Sequence, residues 1–422
     1  MGYTVAQKIL AAHAPGRDVT PGAYVMARVD MVVLSEGLSL VLDEFRSIGT
    51  TRVFDPDRLI VSPCQTTPNK DLNAAFHSLR TKNFVREQNI ANYFEMGRGG
   101  IMHVVAAENG FALPGELLVG SDSHTCTNGA LGGFCVSLGL GFAPTLATGT
   151  TWFKVPESSR VRLTGRFQPW VGAKDVMLHL LASHGTDGFL YQSIEFGGEA
   201  VAQMGMSERF VLCNMAVEAG AKTGVIPADE TTLAYLEGRA KRTFDPVHPD
   251  PDARYVKDVE IDVSALVPFV SLPGNPARGV PVSDVGDVEI DQVFIGSCSN
   301  GRIEDLRICA SVMKGHRVHP RVRVILMPGS HAVYLQAARE GLLETFAEAG
   351  VTVGHAGCGP CAGFSMGVLG EGERAISTAN RNFKGRMGPP SSEVYLANPA
   401  VAAASAIAGR IASPQELMEV TA

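Results

Sequence analysis

Short apolar runs alternate with amphipathic stretches along almost the whole chain, the pattern expected of an α/β protein. It is clearest in the last third. Gln292-Val293-Phe294-Ile295-Gly296 reads as a buried strand, and Arg302 to Val312 as a helix with Ile303, Leu306, Ile308 and Cys309 roughly on one side. Val322 to Met327 predicts a second strand, Pro328-Gly329 a turn, His331 to Ala349 one helix, and Val351 to Gly354 a third strand. Upstream, Leu117-Leu118-Val119 is an apolar run that opens into a glycine-rich segment. Ser271 to Gly279 is rich in turn residues without helical or strand period, which marks a boundary, and Phe244 to Asp252 reads as a further loop. Pro399 to Ile411 predicts an alanine-rich helix.

The chain has 422 residues, more than one hydrophobic core usually spans, so two or three α/β domains are expected. A net charge of −7 without a long Lys/Arg block argues against nucleic acid as the main partner. No apolar run approaches membrane-spanning length, and residues 1–8 lack the apolar centre of a secretory signal. The eight cysteines therefore read as reduced thiols and ligands in a cytoplasmic protein.

Three of those cysteines stand out. Cys298 lies in Gly296-Ser297-Cys298-Ser299-Asn300, and Cys358 and Cys361 lie in Gly357-Cys358-Gly359-Pro360-Cys361-Ala362-Gly363. Each segment follows a predicted strand, and ligands collect at the carboxyl ends of parallel strands. Gly, Ser and Asn around the cysteines let the backbone approach an inorganic group and turn N–H donors toward it. Three thiolates would leave one iron of a [4Fe–4S] cluster without a protein ligand and open to a substrate oxygen. On spacing alone a zinc half-site, a redox pair and ordinary thiols remain open. A second constellation, Gly120-Ser121-Asp122-Ser123-His124-Thr125, places a carboxylate, hydroxyls and an imidazole after the Leu117–Val119 run. Alone it would read as a turn.

Together with His355-Ala356-Gly357-Cys358 and Asn380-Arg381-Asn382-Phe383-Lys384-Gly385-Arg386, these motifs resemble the aconitase superfamily over essentially the whole chain. The resemblance is nearest to its two-subunit hydro-lyases of the 3-isopropylmalate dehydratase large-subunit type. It implies three α/β/α domains packed around one [4Fe–4S] cluster per subunit. Two interleaved domains would occupy residues 1–284, and a third, over 285–422, would carry the cluster cysteines. The swivel domain of single-chain relatives would be replaced by a separate small subunit. The implied reaction dehydrates and rehydrates a hydroxy di- or tricarboxylic acid through an enoate. By position, the resemblance makes Cys298, Cys358 and Cys361 the cluster ligands. His103, Asp122, His124 and Glu218 become catalytic, and Ser123, Asn214, Arg381 and Arg386 substrate-binding. Asn300 and Asn380 match amides beside the cluster.

The chain departs from the family pattern at Cys64-Gln65, where an Asp-His pair is usual, and at Ser35, where His or Gln is usual. Glutamine hydrogen-bonds but transfers no proton at neutral pH. His103 or His124 would then deliver the proton, or the substrate would differ, or the chain would be a paralogue of altered or weak activity. Cys64 could also act as an extra thiolate. A non-catalytic iron–sulfur or RNA-binding protein is the competing reading, and the acidic charge speaks against it.

Overall fold

The apolar runs pair into three larger sheets and a two-stranded antiparallel ribbon, Tyr24–Arg28 with Thr150–Lys154, in a computed structural model that describes residues 2–421, with side chains over 2–417. The first sheet is parallel throughout, in the order Leu59–Val61, Met31–Leu34, Leu117–Gly120, Phe134–Ser137. The second is also parallel, in the order Lys257–Asp262, Ser158–Thr164, Ser193–Gly197, Thr223–Val225. The third has seven strands. Its parallel part runs Glu393–Ala397, Arg374–Ser377, Gln292–Ile295, Arg323–Leu326, Thr352–Val353. A hairpin of Phe269–Ser271 and Gly279–Pro281 adds antiparallel strands at one edge, upstream of residue 285. Among the described residues no helix is long and apolar enough to cross a membrane.

The strands read as unbroken apolar runs because both faces are covered. Met31, Val33, Ile60 and Leu118 join a core that continues into the second sheet through Val161, Leu163, Ile194 and Phe196. Val32, Leu34, Leu59 and Val119 face the other way, onto Ile9, Leu10 and Phe45. In the third sheet Val293 and Ile295 pack with the helices Ile303–Met313 and Pro399–Ala408, while Phe294 turns into the first core. Each large side chain buried this way contributes about 1.5–3 kcal/mol. Together they fix where the strand ends, and therefore the loops, can lie.

Two local expectations are corrected. Ser271 to Gly279 is the connection of the edge hairpin, with Ser271 paired to Gly279, not a boundary between domains. Turn residues without periodicity mark hairpin tips as readily as linkers. The helix expected over His331 to Ala349 is two, His331–Arg339 and Leu342–Ala349. Gly341, at φ +74°, breaks it in the left-handed region that a helix cannot continue.

Candidate active site

Six loops that leave the carboxyl ends of parallel strands converge between the first and third sheets. From the first sheet come Ser35-Glu36, Cys64-Gln65 and Ser121 to His124; from the third come Ser297 to Asn300, Cys358 to Cys361 and Asn380-Arg381. One cavity is lined by Cys64, Gln65, His103, Asp122, His124, Ser297, all three motif cysteines, Asn380 and Arg386.

The Cys298 loop is held under backbone strain. Ser297 adopts φ +81°, a left-handed conformation that costs a non-glycine residue on the order of 1–3 kcal/mol. The loop is pinned by Thr378 Oγ1, which accepts from the Gly296 N–H at 2.9 Å and donates to the Gly296 carbonyl at 3.0 Å. Arg302 Nη1 donates to the Cys298 and Ser299 carbonyls at 2.9 and 3.0 Å. In the other cysteine segment Gly359 has φ +55°, and a Cβ there would meet Met327 Cγ at 2.7 Å. Only glycine lets the turn between Cys358 and Cys361 pack so closely.

One of the thiols, Cys298, receives two side-chain amide donors. Asn214 Nδ2 donates to Cys298 Sγ at 3.1 Å and Asn380 Nδ2 does so at 3.3 Å, and the two amides are bonded to each other at 2.9 Å. Burial pushes the Cys298 thiol up to about 11, with the neighbouring Cys361 adding to the effect. The neighbouring Cys64 thiol, together with burial, raises the Cys358 thiol well above its ordinary range. The Cys358 N–H also donates to the Cys64 carbonyl at 2.9 Å. Among the described residues no three His, Cys, Asp or Glu side chains gather around a single point as a lone metal ion requires. The three thiols instead face one cavity from two loops, with two amide N–H groups aimed at Cys298 Sγ. That donor set fits an iron–sulfur cluster.

A chain of titratable groups borders the same cavity. Asp122 caps the short helix Ser123–Leu131. Its Oδ1 accepts from the His124 N–H at 2.8 Å and lies 3.1 Å from His103 Nε2. Gln65 Nε2 donates to Oδ2 at 3.2 Å. Burial works to raise the Asp122 carboxyl, but the bonds from His103 and His124 outweigh it and hold it well below the usual range. Burial lowers the His103 ring against the opposing pull of Asp122. His124 Nε2 lies 2.7 Å from Glu218 Oε1, and Arg381 Nε donates to both Glu218 oxygens at 2.8 and 3.0 Å. Burial works to raise the Glu218 carboxyl too; His124 and Arg381 bring it below its ordinary value. Ser123 Oγ is 3.3 Å from His124 Nδ1, and Arg386 Nε donates to the Cys361 carbonyl at 3.0 Å.

Of the eleven site residues expected from the sequence, seven line the cavity wall; Ser123, Asn214 and Glu218 stand one hydrogen bond behind it, and Arg381 stands behind Glu218. Asn300 does not reach the thiols; its Nδ2 donates to Asp305 at 2.9 Å. Glu36, Arg302 and Lys174 lie outside the motifs that the sequence offers. The Glu36 carboxylate accepts the backbone N–H groups of Cys64, Gln65 and Thr66 at 2.9, 2.8 and 2.5 Å, and so shapes the loop that carries Gln65. A charged residue one position inside a loop carries no local signal of this kind.

Residues 57–409 match the aconitase family (aconitate hydratase). The chain is 48% identical over 421 residues to the 3-isopropylmalate dehydratase large subunit of Moorella thermoacetica, covering 99% of this chain and all of the relative. It is 49% identical over 422 residues to 3-isopropylmalate dehydratase large subunit 1 of Pyrococcus furiosus, with the same coverage. The crystal structure of Thermococcus kodakaraensis aconitase X in its holo-form aligns with a TM-score of 0.50 at 11% identity, over 90% of this chain and 94% of that one. At that identity the likeness concerns the fold.

Proposed function

Because the chain belongs to the aconitase family, as a hydro-lyase of the 3-isopropylmalate dehydratase large-subunit type, we propose that it removes and restores water on an isopropylmalate-like hydroxy acid, with a [4Fe–4S] cluster on Cys298, Cys358 and Cys361. The observation that carries this reading is that the pairs His103–Asp122 and His124–Glu218 border the cavity that the three thiols face. When bound, the cluster would supply a Lewis-acidic iron for the leaving oxygen.

The chain's own residues would do the rest. Glu218, kept ionised by Arg381, accepts from His124 Nε2 and leaves Nδ1 as the nitrogen that gives or takes the substrate-side proton. Gln65 carries no transferable proton and donates to Asp122, so proton delivery falls to His124, not to the loop at residue 65. Asp122 orients His103 through Nε2. Arg386 on the cavity wall, and the Nη groups of Arg381, would bind substrate carboxylates, for which a planar fork is suited. Ser123 would add a hydroxyl donor. Asn214 and Asn380 hold Cys298. A separate small subunit would close the site and supply the base for the C–H proton. Eight free cysteines suit a reducing, cytoplasmic setting.

The test is anaerobic reconstitution followed by iron and sulfide analysis. Hydration of a panel of alkyl-substituted enoates is then measured with the small subunit present. The expected result is four irons and four sulfides per chain and turnover of at least one alkylmaleate. A loaded protein that hydrates none of them would overturn the reading. Gln65 in place of a histidine favours a shifted substrate preference over the isopropyl compound itself, and the panel reads that directly.

A further inference from the structure

Lys174 takes no part in the chemistry assigned above, yet it lies just behind the thiols. It is the second residue of the helix Ala173–His184 and is 1% exposed. Its Nζ donates to Ser299 Oγ at 3.3 Å and to the carbonyls of Thr378 and Ala379 at 3.0 and 2.7 Å. Ser299 follows Cys298, and Ala379 precedes Asn380, whose amide donates to Cys298 Sγ. One ammonium therefore ties the loop that carries a thiol to the loop that carries that thiol's donor.

The charge itself has no protein partner. All three acceptors are neutral, and no described carboxylate comes into ion-pair contact with Nζ. A buried ammonium normally requires a counter-charge. A lysine in the first turn of a helix also opposes the field of that helix. Burial brings Lys174 down to about 8, and the leading influences that oppose this are Cys298 and then Cys361. The contacts to Ser299 and Ala379 place the ammonium behind the two loops that carry Cys298 and its amide donor, so a thiolate group assembled there would supply the missing negative charge.

Resting on the cluster reading above, we propose that Lys174 is the counter-charge of the cluster, a positioning residue whose fixed positive charge raises the cluster's reduction potential. A cubane on three thiolates is net negative, and a nearby cation stabilises its more electron-rich state. The lysine thereby protects the cluster against oxidation.

The test is the midpoint potential of the one-electron cluster couple, followed by EPR, in wild type, Lys174→Met, Lys174→Gln and Lys174→Arg, with iron and sulfide counted in each. The expected result is a shift to lower potential in the two neutral variants and a potential near wild type in the arginine variant. Loaded neutral variants with an unchanged potential would overturn the proposal and leave a purely structural tie. If the neutral variants take up no cluster while the arginine variant does, the charge is still required and the proposal stands; if the arginine variant fails as well, it falls. A wild-type protein without a cluster would instead remove the reading on which the proposal rests.

Discussion

At the scale of single residues, the site separates groups that touch the same cavity but differ in role. Cys64 shares the cavity with the thiol trio, and its carbonyl accepts from the Cys358 N–H, but the proposed ligand set does not include it. Cys64→Ser should therefore retain the wild-type iron and sulfide content, whereas serine at Cys298, Cys358 or Cys361 should lose it; elemental and sulfide analysis reads the difference. Glu218 holds His124 and is itself held by Arg381. Glu218→Gln should lower kcat by roughly 10²–10⁴-fold, the usual size of an acid–base contribution, with a much smaller change in KM. The same carboxylate gives a pH signature. Burial works to raise its pKa, and His124 and Arg381 bring it below the ordinary value. Its contribution to stability is therefore present above the unfolded pKa of about 4.3 and is lost as pH falls through the lower folded value. The gap in urea midpoint between wild type and Glu218→Gln should be widest near neutrality and should narrow below about pH 4.

At the scale of elements, strand ends decide where chemistry can occur, and glycines decide where helices stop. Gly341 separates two helices at φ +74°, and a Cβ added there would meet no atom within 4 Å, so only backbone conformation resists substitution. Gly341→Ala should cost about 1 kcal/mol, read as a lower urea midpoint. Much of this level was legible in the sequence. Gln292–Ile295, Ile303–Met313 and Arg323–Leu326 lie where the hydrophobic pattern puts them, and both cysteine segments follow strands. Three features were not legible, each for its own reason. Gly341 sits inside an otherwise continuous helical period. Ser271 to Gly279 has the composition of a linker, and its pairing across the hairpin is a long-range fact. Lys174 reads as a surface lysine in a first turn, because the neutral acceptors that bury it come from residues 299, 378 and 379.

At the scale of the whole molecule, the cavity forms where the loops of two sheets meet, and the described carboxylates beside it are already engaged, Asp122 with His103 and His124, and Glu218 with His124 and Arg381. The reconstituted chain alone should hydrate enoates slowly, and the separate small subunit should raise the rate by roughly 10²–10⁴-fold, the size of one general-base contribution; a coupled absorbance assay with titrated subunit reads this. The loop at Cys64-Gln65 has a wider consequence. Glu36 grips it through main-chain N–H groups, which every residue but proline possesses. The identities of the two side chains are thereby uncoupled from the shape of the loop. Such a latch lets descendants exchange the groups presented to a ligand while inheriting the same frame, so new substrate preferences can arise by single steps without passing through a misfolded ancestor.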